Sequence, residues 1–274
     1  MPNPLHYVSD AVVRKFVPVS MRYEVAKRGY LTRHPMTNGA YQGAEQPIVD
    51  EIRREGIYIW QDFIPRDEAI RIGEKARPML EAVRDGTSKY PNQTLRDLES
   101  GLYRIKNADN LIPEAKTILD DERIKNIAKG VTTPNVRSHM RMVEMREGVA
   151  SACSEDCWHF DEPYKYKFKF FLLLTDVNED NAPFAYVKRS HIGGKWRRKK
   201  ELDAFHYGLT GDWGFFHQHE YDGVMKRWGK PLGWEKIVCT GKAGTMILFD
   251  ANGLHRRELC RAGSRIVMSN YYEA

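Results

Sequence analysis

The chain has 274 residues, 42% of them hydrophobic and 29% charged, with a formal net charge of +6. These values suit one soluble globular domain and exclude a membrane-spanning one, because the longest apolar run, around Phe168–Leu174, is interrupted by Lys169. The one dense basic run, Lys195 to Lys200, is followed at once by Glu201 and Asp203. This reads as a solvated face or a contact for an anionic small molecule, and not as a nucleic-acid stripe. Met1 to Ser20 lacks an apolar stretch followed by small residues, so no signal peptide and a cytoplasmic location are expected. Cys153, Cys157, Cys239 and Cys260 are too few for a disulfide framework. Cys153 and Cys157 lie near His159, but no second close pair completes four zinc ligands, so reduced thiols are expected.

In chain order, residues 1–46 form an irregular, partly helical extension broken by Pro2, Pro4, Pro18 and Pro35. Ile57 to Trp60 reads as a short strand. A helix opens at Pro65 with acidic residues in its first turn and stops near Gly86. A second is expected from Ile112 to Lys129, ending at Gly130. Residues 47–135 are thus a helical support region. Beyond it the texture changes to strands: Val136–Met145, a long one from Tyr164 to Val177, Phe184–Val187, Ile237–Cys239, Thr245–Phe249 and Arg265–Tyr272. Helices first and strands later predict an α+β, mainly β fold with a jelly-roll or barrel core over residues 136–274. An insertion over 192–235 carries the basic run and several tryptophans, and a connection of that length suggests a lid or binding loop.

The chemistry centres on Trp158-His159-Phe160-Asp161. Residues two apart on an extended segment point the same way, so His159 and Asp161 can converge on one ion. His255 follows a strand and the Asn252-Gly253 turn, which makes it the candidate third ligand. Two imidazoles and one carboxylate form a facial triad with open positions, the arrangement suited to non-haem iron(II) and O2. Arg265, ten residues after His255, starts a strand, and an arginine pointing into a barrel needs a partner. The far carboxylate of 2-oxoglutarate would pair with it in a bidentate fashion.

These residues carry a family resemblance. His159-Phe160-Asp161, the strand Phe171 to Val177, Asn181-Ala182-Pro183-Phe184, Ser190-His191 and Gly244 to Phe249 before His255 together resemble the phytanoyl-CoA dioxygenase family. The likeness covers about residues 136–272. It implies a double-stranded β-helix (cupin-like), iron(II), 2-oxoglutarate and O2, with His159, Asp161 and His255 as metal ligands and Arg265 as the cosubstrate anchor. It also implies hydroxylation of a C–H bond in a small molecule, with release of succinate and CO2. The chain departs from the pattern where Ala182 replaces a turn glycine and Lys188-Arg189 replaces a Pro-Gly. Related halogenases have Gly or Ala where Asp161 stands, so the carboxylate argues against halogenation.

Other residues compete for roles. The rival reading of Arg265 is a structural salt bridge, with Arg261 then the anchor. Arg137, His139 and Arg141 alternate on one strand and could reach a cosubstrate or anionic substrate, as could Lys167 and Lys169. His191 reads as a supporting residue, His217 and His219 as loop or substrate-pocket residues, and Trp158 as packing. The competing functions are a non-oxidative metal-binding barrel and a binding module without catalysis.

Overall fold

The computed structural model describes residues 19–36, 43–148, 158–161, 165–191, 227 and 229–274. The chain's described residues open with helices α1 (Val19–Arg33) and α2 (Gln46–Glu55), the first of them within the extension expected to be irregular and partly helical. α2 ends at Gly56, whose φ of 87° is the left-handed cap that only glycine adopts without strain. Strand β1 (Ile57–Trp60) leads into helix α3 (Arg66–Arg84), which has Asp67 and Glu68 in its first turn. α3 buries Ala69, Ile72, Gly73, Ala76, Leu80 and Val83, one apolar stripe at helical spacing.

Two strands not anticipated from the sequence follow, β2 (Thr94–Asp97) and β3 (Leu102–Lys106). The single helix expected from Ile112 to Lys129 is two, α4 (Pro113–Leu119) and α5 (Glu122–Val131). The break has a local cause. Asp121 accepts the backbone N–H of Arg123 at 2.8 Å and so caps a new helix where the old one would have continued.

The remaining strands are β4 (Arg137–Glu147), β5 (Lys167–Leu173), β6 (Phe184–Lys188), β7 (Glu235–Cys239), β8 (Met246–Asp250), β9 (His255–Arg257) and β10 (Ser264–Glu273). They form a seven-stranded sheet in the order β1-β8-β5-β10-β4-β3-β2 and a three-stranded sheet β7-β6-β9. The pairings are antiparallel. The region expected to be helical support therefore also adds β1 to one edge of the large sheet and the β2–β3 hairpin to the other. β5 is shorter than the expected Tyr164–Val177 strand. Beyond it the chain turns, and Asp176 accepts the N–H of Ala243 at 2.9 Å.

Alternation sorts β5 into two faces. Phe168, Phe170 and Leu172 join Ile266, Met268 and Tyr272 of β10 in a core shared with α3, α4 and α5. Phe171 and Leu173 face the other way. With Ile247, Phe249 and Val267 they meet Phe184 and Tyr186 of the small sheet. The two sheets enclose this second core, which makes the fold a double-stranded β-helix with helices packed on its outer face. Among the described residues, no helix is long and apolar enough to cross a membrane. Cys239 and Cys260 are reduced and buried. Cys153 and Cys157 lie outside the described residues.

Candidate metal centre

His159 and His255 meet by backbone pairing. The N–H of His159 donates to the His255 carbonyl at 3.0 Å, and the N–H of His255 to the His159 carbonyl at 2.8 Å. Residues that exchange both bonds lie directly opposite, with their side chains on one face, and here the ring centroids are 4.4 Å apart. Asp161, two residues on, donates its N–H to Ala251 at 2.9 Å and turns its carboxylate to that same face. One ligand atom from each of His159, Asp161 and His255 lies within 4.8 Å of the others. Asp161 Oδ1 is 3.8 Å from His255 Nε2.

The His255 ring is held by its own turn. Nδ1 lies 2.9 Å from the Gly253 carbonyl, which can only accept, so Nδ1 carries the proton and Nε2 presents its lone pair towards Asp161. Gly253 is required because a Cβ there would collide with the Tyr186 hydroxyl, which donates to the Asp250 carbonyl at 2.9 Å. Ser190 pins the other side. Its hydroxyl accepts the Leu254 N–H at 2.7 Å and donates to the Val187 carbonyl at 2.6 Å.

Burial alone would raise the Asp161 pKa. The charge of Lys169, with Lys167 adding to it, reverses this and holds the carboxyl well below the usual range. Burial, with His159 close by, keeps His255 well below an ordinary histidine. The cluster therefore offers an ionised carboxylate and a neutral imidazole, the protonation states that bind a divalent metal. This donor set fits iron(II), and among the described residues no thiolate joins it as in a structural zinc site.

Deeper in the interior stands a second feature. Arg265 is only 1% exposed. It donates to the Ala182 carbonyl and to Glu144 Oε1, the latter at 3.3 Å. Arg104 Nε approaches the other carboxylate oxygen of Glu144 at 2.8 Å. Arg146 lies opposite Arg265 in the β4–β10 register. Arg257, two residues after His255 on β9, faces the same interior. Burial would raise the Glu144 carboxyl, but Arg104, Arg257 and Arg265 hold it down at about 2. Ser269, two pairs along β10 from Arg265, is fully buried on that face. Among the described residues, neither its hydroxyl nor Arg265 Nε has a hydrogen-bond partner.

Other candidates are placed elsewhere. Arg141 is bound to Asp109 at 2.9 Å and Asp120 at 2.7 Å on the helical side of the sheet, away from the cluster. Arg137 and His139 are exposed. Arg261 is exposed and lies beside Asp180, which removes it as the alternative anchor. Lys167 pairs with Glu273 at 3.0 Å. Lys169, in contrast, reaches Asp161 Oδ2 at 2.8 Å. His191 is a supporting residue, its Nε2 3.2 Å from the Arg53 carbonyl. Trp158 is packing, with the Arg256 guanidinium 4.7 Å over its ring. His217, His219 and the Lys195–Lys200 run lie outside the described residues. Sequence reasoning missed Glu144 and Arg257. The two-residue step that pairs His159 with Asp161 also pairs His255 with Arg257 and could have found the arginine.

Fold and cluster together define a double-stranded β-helix with a two-histidine, one-carboxylate centre at one end of its interior. No family model matches the chain. The sequence is 22% identical to ectoine dioxygenase of Bordetella bronchiseptica over 257 residues, covering 87% of this chain and 79% of that protein. The enzyme of Bordetella parapertussis gives the same values. Among solved structures, EctD from S. alaskensis with 2-oxoglutarate and 5-hydroxyectoine matches with a TM-score of 0.58 at 17% identity, covering 89% of this chain and 80% of that one. The epimerase SnoN in complex with Fe3+, alpha ketoglutarate and nogalamycin RO matches with a TM-score of 0.58 at 15% identity, covering 84% and 83%. The chain thus has the fold of iron- and 2-oxoglutarate-dependent oxygenases over most of its length.

Proposed function

We propose that this protein is an Fe(II)- and 2-oxoglutarate-dependent dioxygenase of the phytanoyl-CoA dioxygenase type, built as a single oxygenase domain. It hydroxylates a C–H bond of a small molecule and releases succinate and CO2. The observation that carries this reading is the convergence of His159, Asp161 and His255 within 4.8 Å, with buried arginines on the same inward face. Arg265, with its Nε and the neighbouring Ser269 hydroxyl unmatched among the described residues, offers donors to a further anion beside Glu144. The likeness to ectoine dioxygenases across most of the chain supports the same reading.

In this reading His159, Asp161 and His255 hold the iron. Arg265, with Arg257 beside it, takes the distal carboxylate of 2-oxoglutarate, and the Ser269 hydroxyl supplies a further hydrogen bond. The bound iron and cosubstrate supply the oxidising chemistry on O2. The chain's own part is to position and to exclude water. Phe184 and Phe249 lie 5.8 Å and 5.5 Å from the His255 ring and form an apolar wall around it.

The test is succinate formation from 2-oxoglutarate under O2 with added Fe(II), with ectoine and a panel of small anionic molecules as substrates. We expect iron-dependent succinate in the wild type and none in His159→Ala or His255→Ala, because three protein ligands leave no spare. Wild-type iron affinity and turnover in either variant would overturn the assignment.

A further inference from the structure

The two oxygens of Asp161 have different surroundings. Oδ1 faces His255 Nε2 at 3.8 Å. Oδ2 is taken by Lys169 Nζ at 2.8 Å, in a pair whose side chains are 15% and 8% exposed. Lys169 is fixed from two further directions. Its strand places it opposite Tyr271 of β10 and Phe249 of β8, and its ammonium lies 4.0 Å from the centre of the Tyr271 ring, held over the aromatic face. A buried ammonium so held does not readily leave its carboxylate, since each partner would then be a buried charge without compensation.

Resting on the proposed iron site, we infer that Lys169 is a positioning residue that makes Asp161 a one-oxygen ligand. Nζ occupies Oδ2, so only Oδ1 is left for the metal. A carboxylate that bound through both oxygens would fill one of the positions the cosubstrate needs. The ammonium also offsets the charge of Asp161, so the dianionic cosubstrate meets a more positive centre. Lys169 therefore favours cosubstrate binding at the expense of the tightest metal binding.

The test uses Co(II) as a spectroscopic probe and 2-oxoglutarate as the second ligand, both read by titration without turnover. Wild type should bind Co(II), and then 2-oxoglutarate, with a change in the visible spectrum. If wild type binds no Co(II), the iron-site reading itself fails. In Lys169→Met we expect Co(II) affinity equal to or above wild type, an altered Co(II) spectrum before cosubstrate is added, and at least tenfold weaker 2-oxoglutarate binding. Wild-type spectrum and cosubstrate affinity in Lys169→Met would overturn the inference alone. So would a tenfold loss of Co(II) affinity, which would make Lys169 a support for the ligand and not a limit on it. A measurement on wild type needs no variant to fold. In 13C-aspartate-labelled protein, the infrared difference on Co(II) binding should show a widened splitting of the carboxylate stretches, the sign of one-oxygen ligation. A narrowed splitting would mean that both oxygens bind and that the inference is wrong.

Discussion

The Glu144 carboxylate stands among several guanidiniums. Arg104 and Arg265 both contact it, and Arg257 acts on it through space. Burial lowers the pKa of Arg257 and Arg265, a sign that crowding and desolvation strain these cations. A bound dicarboxylate would relieve that strain, which is why Arg265 is assigned to the cosubstrate although it already touches Glu144. Arg265→Ala should weaken 2-oxoglutarate binding about tenfold to a hundredfold, the equivalent of a charge-assisted hydrogen bond of about 1.5–3 kcal/mol. Metal binding should be unchanged, because the arginine touches no metal ligand. Calorimetric titration of both ligands checks this. Lower thermal stability with wild-type cosubstrate affinity would make Arg265 a structural partner of Glu144 and nothing more.

At the scale of elements, the loops where Ala182 and Arg189 stand in place of the glycines of the pattern the chain resembles keep a glycine-like backbone. Ala182 has φ of 61° and Arg189 has φ of 63°, both in the left-handed region. An L-residue there costs about 1–2 kcal/mol, so both positions carry strain that surrounding contacts must offset. Ala182 is fully buried and its carbonyl receives Arg265. Arg189 is tied to Glu55 at 3.6 Å. Ala182→Gly removes the strain but gives the unfolded chain more freedom, so a net gain of about 0.5–1 kcal/mol is expected. Denaturant titration should show a higher midpoint with an unchanged slope, and a lower midpoint would mean that the Ala182 methyl packs better than its backbone is strained. The same elements show what could be read beforehand. β5 and β10 announced themselves because alternating large residues leave a period of two, and the H-x-D spacing put His159 and Asp161 on one face through that same geometry. β2 and β3 were not legible: Thr94–Asp97 is mostly polar and half-exposed, and it becomes a strand only by pairing with β3. The break at Asp121 depends on one side-chain cap. Lys169 was read as a possible contact for a cosubstrate or anionic substrate, because nothing local tells that it ends on Asp161. Arg141 alternated with plausible neighbours, but its partners Asp109 and Asp120 come from the helical side.

For the whole molecule, the buried charge in the barrel interior contributes to stability against acid. Glu144 sits on β4, and the arginines it faces come from β3, β9 and β10, so this one carboxylate joins both sheets. In the unfolded chain its pKa is about 4.3, and in the fold it is held down at about 2. A depressed carboxyl contributes stability above its unfolded pKa, and that contribution is lost as the pH falls through the folded value. The loss should therefore run from about pH 4.3 down to about 2. Glu144→Gln removes the titration and leaves the guanidiniums without their anion, so at neutral pH it should destabilise the protein by about 3–5 kcal/mol. As the pH is lowered the wild type approaches the variant, and the gap between them should narrow across that window. Urea midpoints of both proteins from pH 7 to pH 2 measure the gap directly. Two curves that stay parallel to the acid end would show that Glu144 titrates alike in folded and unfolded chains, and the interior cluster would then have no part in acid unfolding.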